Sequence, residues 1–499
     1  QSASVQQGMQ AARDGKGAPL TPEEKTAARV GASTVANNPE KAVQRAAGHA
    51  ARKEKGRPLS ASQKEAVAAR TAAMMKQASS GADSVKGAGE SAVAAAKAHA
   101  DANGYSLSSA EENAIRSGAE ANASATAAAG SVANTTKEAA RLGASFANGH
   151  APLSAEQVQQ AEQTANTVLA EAAQATSTQG MAMSAGMSAA GSVTGKDSSG
   201  ARIPLSAAQR QAVSSAVNTA VSGVENAALA GAATAKGAPL TAAEAQAVRA
   251  NVKEQAVQQA AVSAMEAVGG KPLGADARKA VARNASRQMA SIQAANSQVA
   301  LADRAARQTA ALIQQSNKGK PLGRRSYTAM RGQARSMTEQ AAAAATPQAL
   351  AGAAAASGAA KAANMHQQSF TESDRQSAIR TGTSAAVRMA NNASPAAMSR
   401  RAGAEAAAFV AENRAHDNGR TLSATERSEA ASRGARSGAM SHAVSERGTI
   451  YASSTTGQSG TAAAAAKAPV QRGGLSKADA RQAILLAGIG GALSGSGSS

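Results

Sequence analysis

Small apolar residues recur along this chain at spacings of three and four, as at Ala261, Ala264 and Ala267, with polar residues filling the positions between. That period is helical, and the runs of Val, Ile, Thr and aromatic residues that would build strands are missing. The pattern predicts an all-α fold. It is interrupted by one recurring phrase, Gly-x-Pro-Leu-Ser/Thr-x-x-Glu/Gln, which stands at Pro19-Leu20, Pro58-Leu59, Leu107, Pro152-Leu153, Pro204-Leu205, Pro239-Leu240, Pro272-Leu273 and Pro321-Leu322, and in weaker form at Phe370, Leu422 and Leu475. Neighbouring copies lie 33 to 53 residues apart. Repetition at such a period marks tandem supersecondary units.

Each copy is a helix start. Thr21, Ser60, Ser108, Ser154, Ser206, Thr241, Thr371, Ser423 and Ser476 stand as N-caps, and Glu24, Gln63, Glu111, Gln157, Gln209, Glu244, Asp374, Glu426 and Asp479 three residues on close capping boxes. Gly274 and Gly323 replace the cap in two copies, which makes those starts weaker by a few tenths of a kcal/mol. The preceding Gly and Pro end the previous helix. An interval near 48 residues suits two helices, and internal starts are read at Asn38-Pro39 and Thr136-Lys137-Glu138; the two shortest units are expected to have one helix shortened. The expected architecture is a tandem array of Ala-rich two-helix repeats, a helical-hairpin solenoid or elongated bundle. Its boundaries are 1–56, 57–104, 105–150, 151–202 with a linker, 203–237, 238–270, 271–319, 320–368, 369–419 and 420–472, with 473–499 a partial repeat and tail.

Composition sharpens this picture. Of 499 residues 141 are Ala, against three Phe, three Tyr and no Trp. Such a chain forms helices readily, since Ala is the best helix former, but each helix buries little area. Stability must come from many close helix contacts, which faces of Ala and Ser permit. Charge adds a second feature: 53 Lys and Arg against 33 Asp and Glu give +20. No basic run is longer than two residues, as at Arg324-Arg325 and Arg400-Arg401, so the charge reads first as a basic solvated surface and second as weak, non-specific attraction to anionic surfaces or nucleic acid.

Candidate chemistry is sparse. No cysteine is present, which excludes disulfide scaffolds, thiolate zinc sites and cysteine nucleophiles. The six histidines (His49, His99, His150, His366, His416, His442) show no i, i+4 pair, and His49, His99, His150 and His416 stand near unit ends, where an imidazole suits the negative end of a helix. Gly191–Asp197 resembles a phosphate loop but is one residue short and ends in Asp where Ser or Thr is needed. The aromatics are scattered singly, which disfavours base stacking. Accordingly no catalytic, cofactor-binding or metal-binding residue is assigned, and no cofactor. No run is apolar and long enough to span a membrane; Ala483–Leu493 is about half the length required. The small-residue start Gln1-Ser2-Ala3-Ser4 is compatible with removal of a secretory signal.

The unit resembles the seed maturation protein domain of late embryogenesis abundant proteins, whose opening reads Lys-Pro-(Val/Ile/Leu)-(Ser/Thr)-x-x-Asp-Ala. The matching passages are Gly270-Lys271-Pro272-Leu273-Gly274-Ala275-Asp276-Ala277 and Leu107–Ala114, the latter followed by Gly130–Ala133 and Ala139–Ser145. That family's Gln-Ser-Ala-Ala segment is not reproduced. The resemblance implies a cytoplasmic, stress- or desiccation-protective protein without catalytic residues. Together these readings predict a non-enzymatic structural protein that stacks or self-assembles through small-residue helix faces into an oligomer, fibre or lattice. The alternatives are a nucleic-acid-condensing protein and, second, an ice-binding one.

Overall fold

The computed structural model describes residues 19–36, 39–82, 84–316 and 322–454. These residues form α-helices and no strand, as the period predicts. In chain order the helices are α1 (Pro22–Ala36), α2 (Pro39–Lys55), α3 (Ala61–Ala82), α4 (Ser84–Ala102), α5 (Ser109–Ala129), α6 (Val132–Ala147), α7 (Ala155–Thr176), α8 (Thr178–Gly191) and α9 (Ala207–Lys236). They continue with α10 (Ala242–Gly269), α11 (Ala275–Ala295), α12 (Gln298–Ser316), α13 (Arg324–Ala344), α14 (Pro347–Met365), α15 (Glu372–Asn392), α16 (Pro395–Asp417) and α17 (Ala424–Ser454). Ten of the eleven phrases are followed by one of these helices; the copy at Leu475, with Ser476 and residues 473–499, lies outside the described residues.

Two internal details differ from expectation. The two shortest units each hold one unbroken helix, α9 of 30 residues and α10 of 28, instead of a pair with one member shortened. No proline or cap interrupts either stretch, and the valines at 213, 217, 221 and 224 keep one apolar stripe running through α9. Thr136 does not start a helix. α6 begins at Val132, and Thr136 is buried within it, its Oγ1 donating to the Val132 carbonyl at 2.6 Å. Asn38 lies outside the described residues, though α2 begins at Pro39 beside it.

Two compact units form. One holds α1 and the described residues of Val132–Thr338; the other holds those of Pro39–Ser131 and from Glu339 onward. Within each, the helices gather in groups built from two hairpins, each hairpin being the helix before a phrase, the phrase, and the helix after it. In the second unit α2 packs on α16 with α3 and α17 completing the group, and α4 packs on α14 with α5 and α15. In the first, α6 packs on α12 with α7 beside them, and α13 joins through Met330 and Ala334 against Ala306 and Ala310. There too α8 packs on α10 with α9 and α11, while α1 lies on α9 and α10. The partners nest like brackets: α2 with α16, α4 with α14, α6 with α12, α8 with α10. Nearest-neighbour stacking, the rule of simple solenoids, therefore does not by itself describe this packing.

In several phrases the leucine plugs the group that its hairpin builds. Leu59, Leu107, Leu153 and Leu205 enter the cores beside Val43 and Val410, Ile115 and Leu350, Val168 and Ile313, and Val213 and Val252, respectively. Between these few larger side chains the contacts are made by Ala and Gly. At α6 against α12 a Cβ added to Gly143 would fall 2.1 Å from the Ala306 carbonyl oxygen. At α16 against α17 a Cβ on Gly434 would fall 2.2 Å from the Gly403 carbonyl oxygen. Backbone meets backbone there, which only glycine allows.

Candidate functional site

The helix starts carry the most regular chemistry. The Thr21 amide donates to Glu24 Oε2 at 2.8 Å and the Glu24 amide returns a bond to Thr21 Oγ1 at 3.2 Å. The same reciprocal pair joins Ser60 and Gln63, Ser108 and Glu111, Ser154 and Gln157, Ser206 and Gln209, Thr241 and Glu244, Thr371 and Asp374, and Ser423 and Glu426. Gly274 caps α11 without any side-chain bond. Three further caps escaped the repeat phrase: Ser177, Thr346 and Ser394, bonded to the amides of Gly180, Ala349 and Ala397. Two of them precede a proline at the first helical position, and that Thr-Pro or Ser-Pro pair was the available signal.

A clasp across the phrase was also not read from the sequence. Lys236, in the last turn of α9, donates to the Pro239 carbonyl at 2.9 Å and to Glu244 Oε2 at 2.5 Å. Lys55 repeats this with the Pro58 carbonyl and Gln63 Oε1, and Arg420 reaches Glu426 Oε1 at 2.7 Å. Between them Gly237 takes a left-handed φ of 71°, which reverses the chain and favours glycine. The Lys236 hydrogen bond, followed by that from the Thr241 amide, lowers the Glu244 carboxyl from 4.5 to about 2. Arg420 and then Ser423 lower Glu426 likewise to about 2. A depressed carboxyl contributes stability that is present above its unfolded value near 4.5 and lost as pH falls through about 2. NMR titration of the two side-chain carboxyls should therefore give midpoints near 2, and Lys236→Met should raise that of Glu244 alone. A midpoint near 4.5 for Glu244 in the native chain would contradict the clasp.

Ring contacts concentrate where the hairpins α4–α5 and α14–α15 meet. His99, buried in the last turn of α4, places Nδ1 2.8 Å from the Tyr105 hydroxyl, and its ring centroid is 5.6 Å from that of Phe370. His366, which caps the C-terminus of α14, stacks on Tyr105 at 4.4 Å and brings Nε2 to 3.1 Å from Glu111 Oε1, off the line of a hydrogen bond. The other oxygen of Glu111 holds the Ser108 cap, and these bonds to Ser108, ahead of His366, lower its carboxyl. Burial, then the Glu111 charge, pushes the Tyr105 phenol up. His99, Tyr105, Ser108 and Glu111 are bonded within the cluster, while His366 Nε2 stands beside Glu111 without a hydrogen bond. The cluster's chemistry is that of a fastening between two equivalent turns.

Three of the remaining histidines do other work. His49 Nδ1 lies 3.0 Å from Ser437 Oγ on α17, His150 follows α6 with its ring edge on Phe146, and His416 sits in the last turn of α16. Among the described residues no three His, Asp or Glu converge as metal ligands. The phosphate-loop fragment folds on itself. Thr194 Oγ1 and Arg202 donate to the Gly191 carbonyl, and Asp197 Oδ1 accepts from Ser199 and the Ala201 amide, with no helix starting until Ala207. A shallow groove of about 390 Å³ between α7 and α12, lined by Gln157, Gln160, Gln163 and Ile313, holds one carboxylate, Glu156. Among the described residues no helix is long and apolar enough to cross a membrane. Comparison with protein-family models, curated proteins and solved structures found no match.

Proposed function

We propose that this chain is a non-enzymatic structural scaffold, a string of helical hairpins held together by small-residue contacts and capable of self-association. The observation that carries the proposal is the backbone-to-backbone approach of helices distant in sequence, at Gly143 on Ala306 and at Gly358 on Ala92. Such surfaces specify rigid mutual fit and leave little concave space for a substrate. The self-association we propose is exchange, in which a hairpin of one copy takes the place of its equivalent in a second and reuses the same surfaces. The resemblance to the seed maturation protein domain adds protection during drying as the setting we propose.

Circular dichroism in dilute buffer should show a predominantly helical chain, with scattering from a folded particle. Helix content below the ordinary globular level of about one third, with coil-like scattering, would remove the scaffold reading. Light scattering across a concentration series separately tests association; a monomer at every concentration removes that part alone.

A further inference from the structure

The positive charge is not spread evenly. Residues 271–338 hold 13 Lys or Arg and two Asp, a net +11 of the chain's +20. Within this stretch α11 arranges Lys279, Arg283 and Arg287 at i, i+4 and i+8, all exposed, opposite the buried Val281 and Ala285. At 1.5 Å per residue the three cations stand about 6 Å apart along the axis. Two of the neighbouring acids are engaged elsewhere. Glu266 accepts from Arg278 and the Leu273 amide, and Glu254 from Ser286 and Gln258. Asp276 lies 3.9 Å from Lys279, while Arg283 and Arg287 contact only the Lys279 carbonyl and Asn284 and pair with no carboxylate among the described residues.

We propose that this stripe of α11 binds the phosphate backbone of double-stranded nucleic acid without reading its sequence. The occupant follows from what the face contains. Ala277, Ala280, Asn284 and Ala290 surround the cations, so no large apolar side chain is available to enter a lipid headgroup layer. No aromatic ring is there to stack on unpaired bases. Arginine's planar fork suits phosphate oxygens, and contacts of that kind position a duplex without specifying bases.

The test is fluorescence anisotropy of the full chain with labelled 20-base-pair DNA duplexes of two unrelated sequences, over a salt series. Both duplexes bind alike, and affinity falls steeply with salt. Each phosphate contact contributes a slope of about −0.9 in log K against log salt. The triple variant Lys279→Gln, Arg283→Gln, Arg287→Gln therefore flattens the slope by about 2.7. A control with the same net charge, Lys25→Gln, Arg29→Gln, Lys64→Gln, leaves it unchanged, and Arg283→Lys with Arg287→Lys retains it. Circular dichroism checks that each variant keeps its helix. Equal flattening by both triple variants, absence of binding at the lowest salt, or loss of binding to phosphatidylserine vesicles with DNA binding intact would each overturn the proposal.

Discussion

Gly143→Ala will destabilise the chain while Gly332→Ala stabilises it. Both glycines lie inside helices, α6 and α13, where propensity alone favours alanine by about 1 kcal/mol. Their surroundings reverse the sign at one of them. A Cβ on Gly143 would stand 2.1 Å from the Ala306 carbonyl oxygen and 2.8 Å from its Cα, both parts of a helix backbone that cannot rotate away. The only relief is separation of α6 from α12, which opens the contacts of the buried Ala139, Ala140 and Ala144 together. Overpacking costs about 1–3 kcal/mol when side chains can adjust, and here a value of about 3 kcal/mol is expected because backbone must move. Gly332 is exposed with nothing within 4 Å, so its alanine gains about 0.5–1 kcal/mol. Urea melts of the full chain compare the two. If Gly143→Ala raises the midpoint as Gly332→Ala does, α6 and α12 do not touch in solution.

That contrast also marks what was legible in the sequence. Ser154 and Gln157 sit three residues apart, and the bond between them is local, so the residues alone announce the helix start. The pairing of α6 with α12 has no such signature. Ala139, Ala144, Ala302 and Ala306 are chemically alike, and one Ala stripe names no particular partner, so helices 150 residues apart meet without a readable cue. The cluster of His99, Tyr105, His366 and Phe370 was hidden for the same reason: these rings are scattered singly along the sequence and come together only where two hairpins meet. Thr136 misled in the opposite direction. A threonine ahead of Lys and Glu resembles a cap, but a buried Thr can satisfy its hydroxyl on the carbonyl four residues back and remain in mid-helix. Charge placement was legible, being arithmetic over positions, once read by segment and not over the whole chain.

Ala264→Leu is expected to cost more than removing a cap. Ala264 on α10 is fully buried against α8, where a Cβ on Gly186 would already fall 3.1 Å from the Ala264 methyl and 2.6 Å from Val217 Cγ2. Leucine adds three heavy atoms at a point where a single methyl barely fits, for a loss of about 1–3 kcal/mol. Ser154→Ala removes only the side-chain bond to the Gln157 amide at an exposed turn, for about 1 kcal/mol. A conventional leucine core would order these two differently, because a larger side chain there often fills space and adds buried area. Val217 offers a further arm, since it meets the same spot from α9. Val217→Ala alone should destabilise by opening a cavity, yet combined with Ala264→Leu it returns much of the lost volume, so the double variant should be more stable than the sum of the two losses predicts. Thermal melts of the four variants decide the matter: additive losses would mean that Gly186, Val217 and Ala264 do not share one contact, and a stabilising Ala264→Leu would mean that α8 and α10 are not closely packed at all.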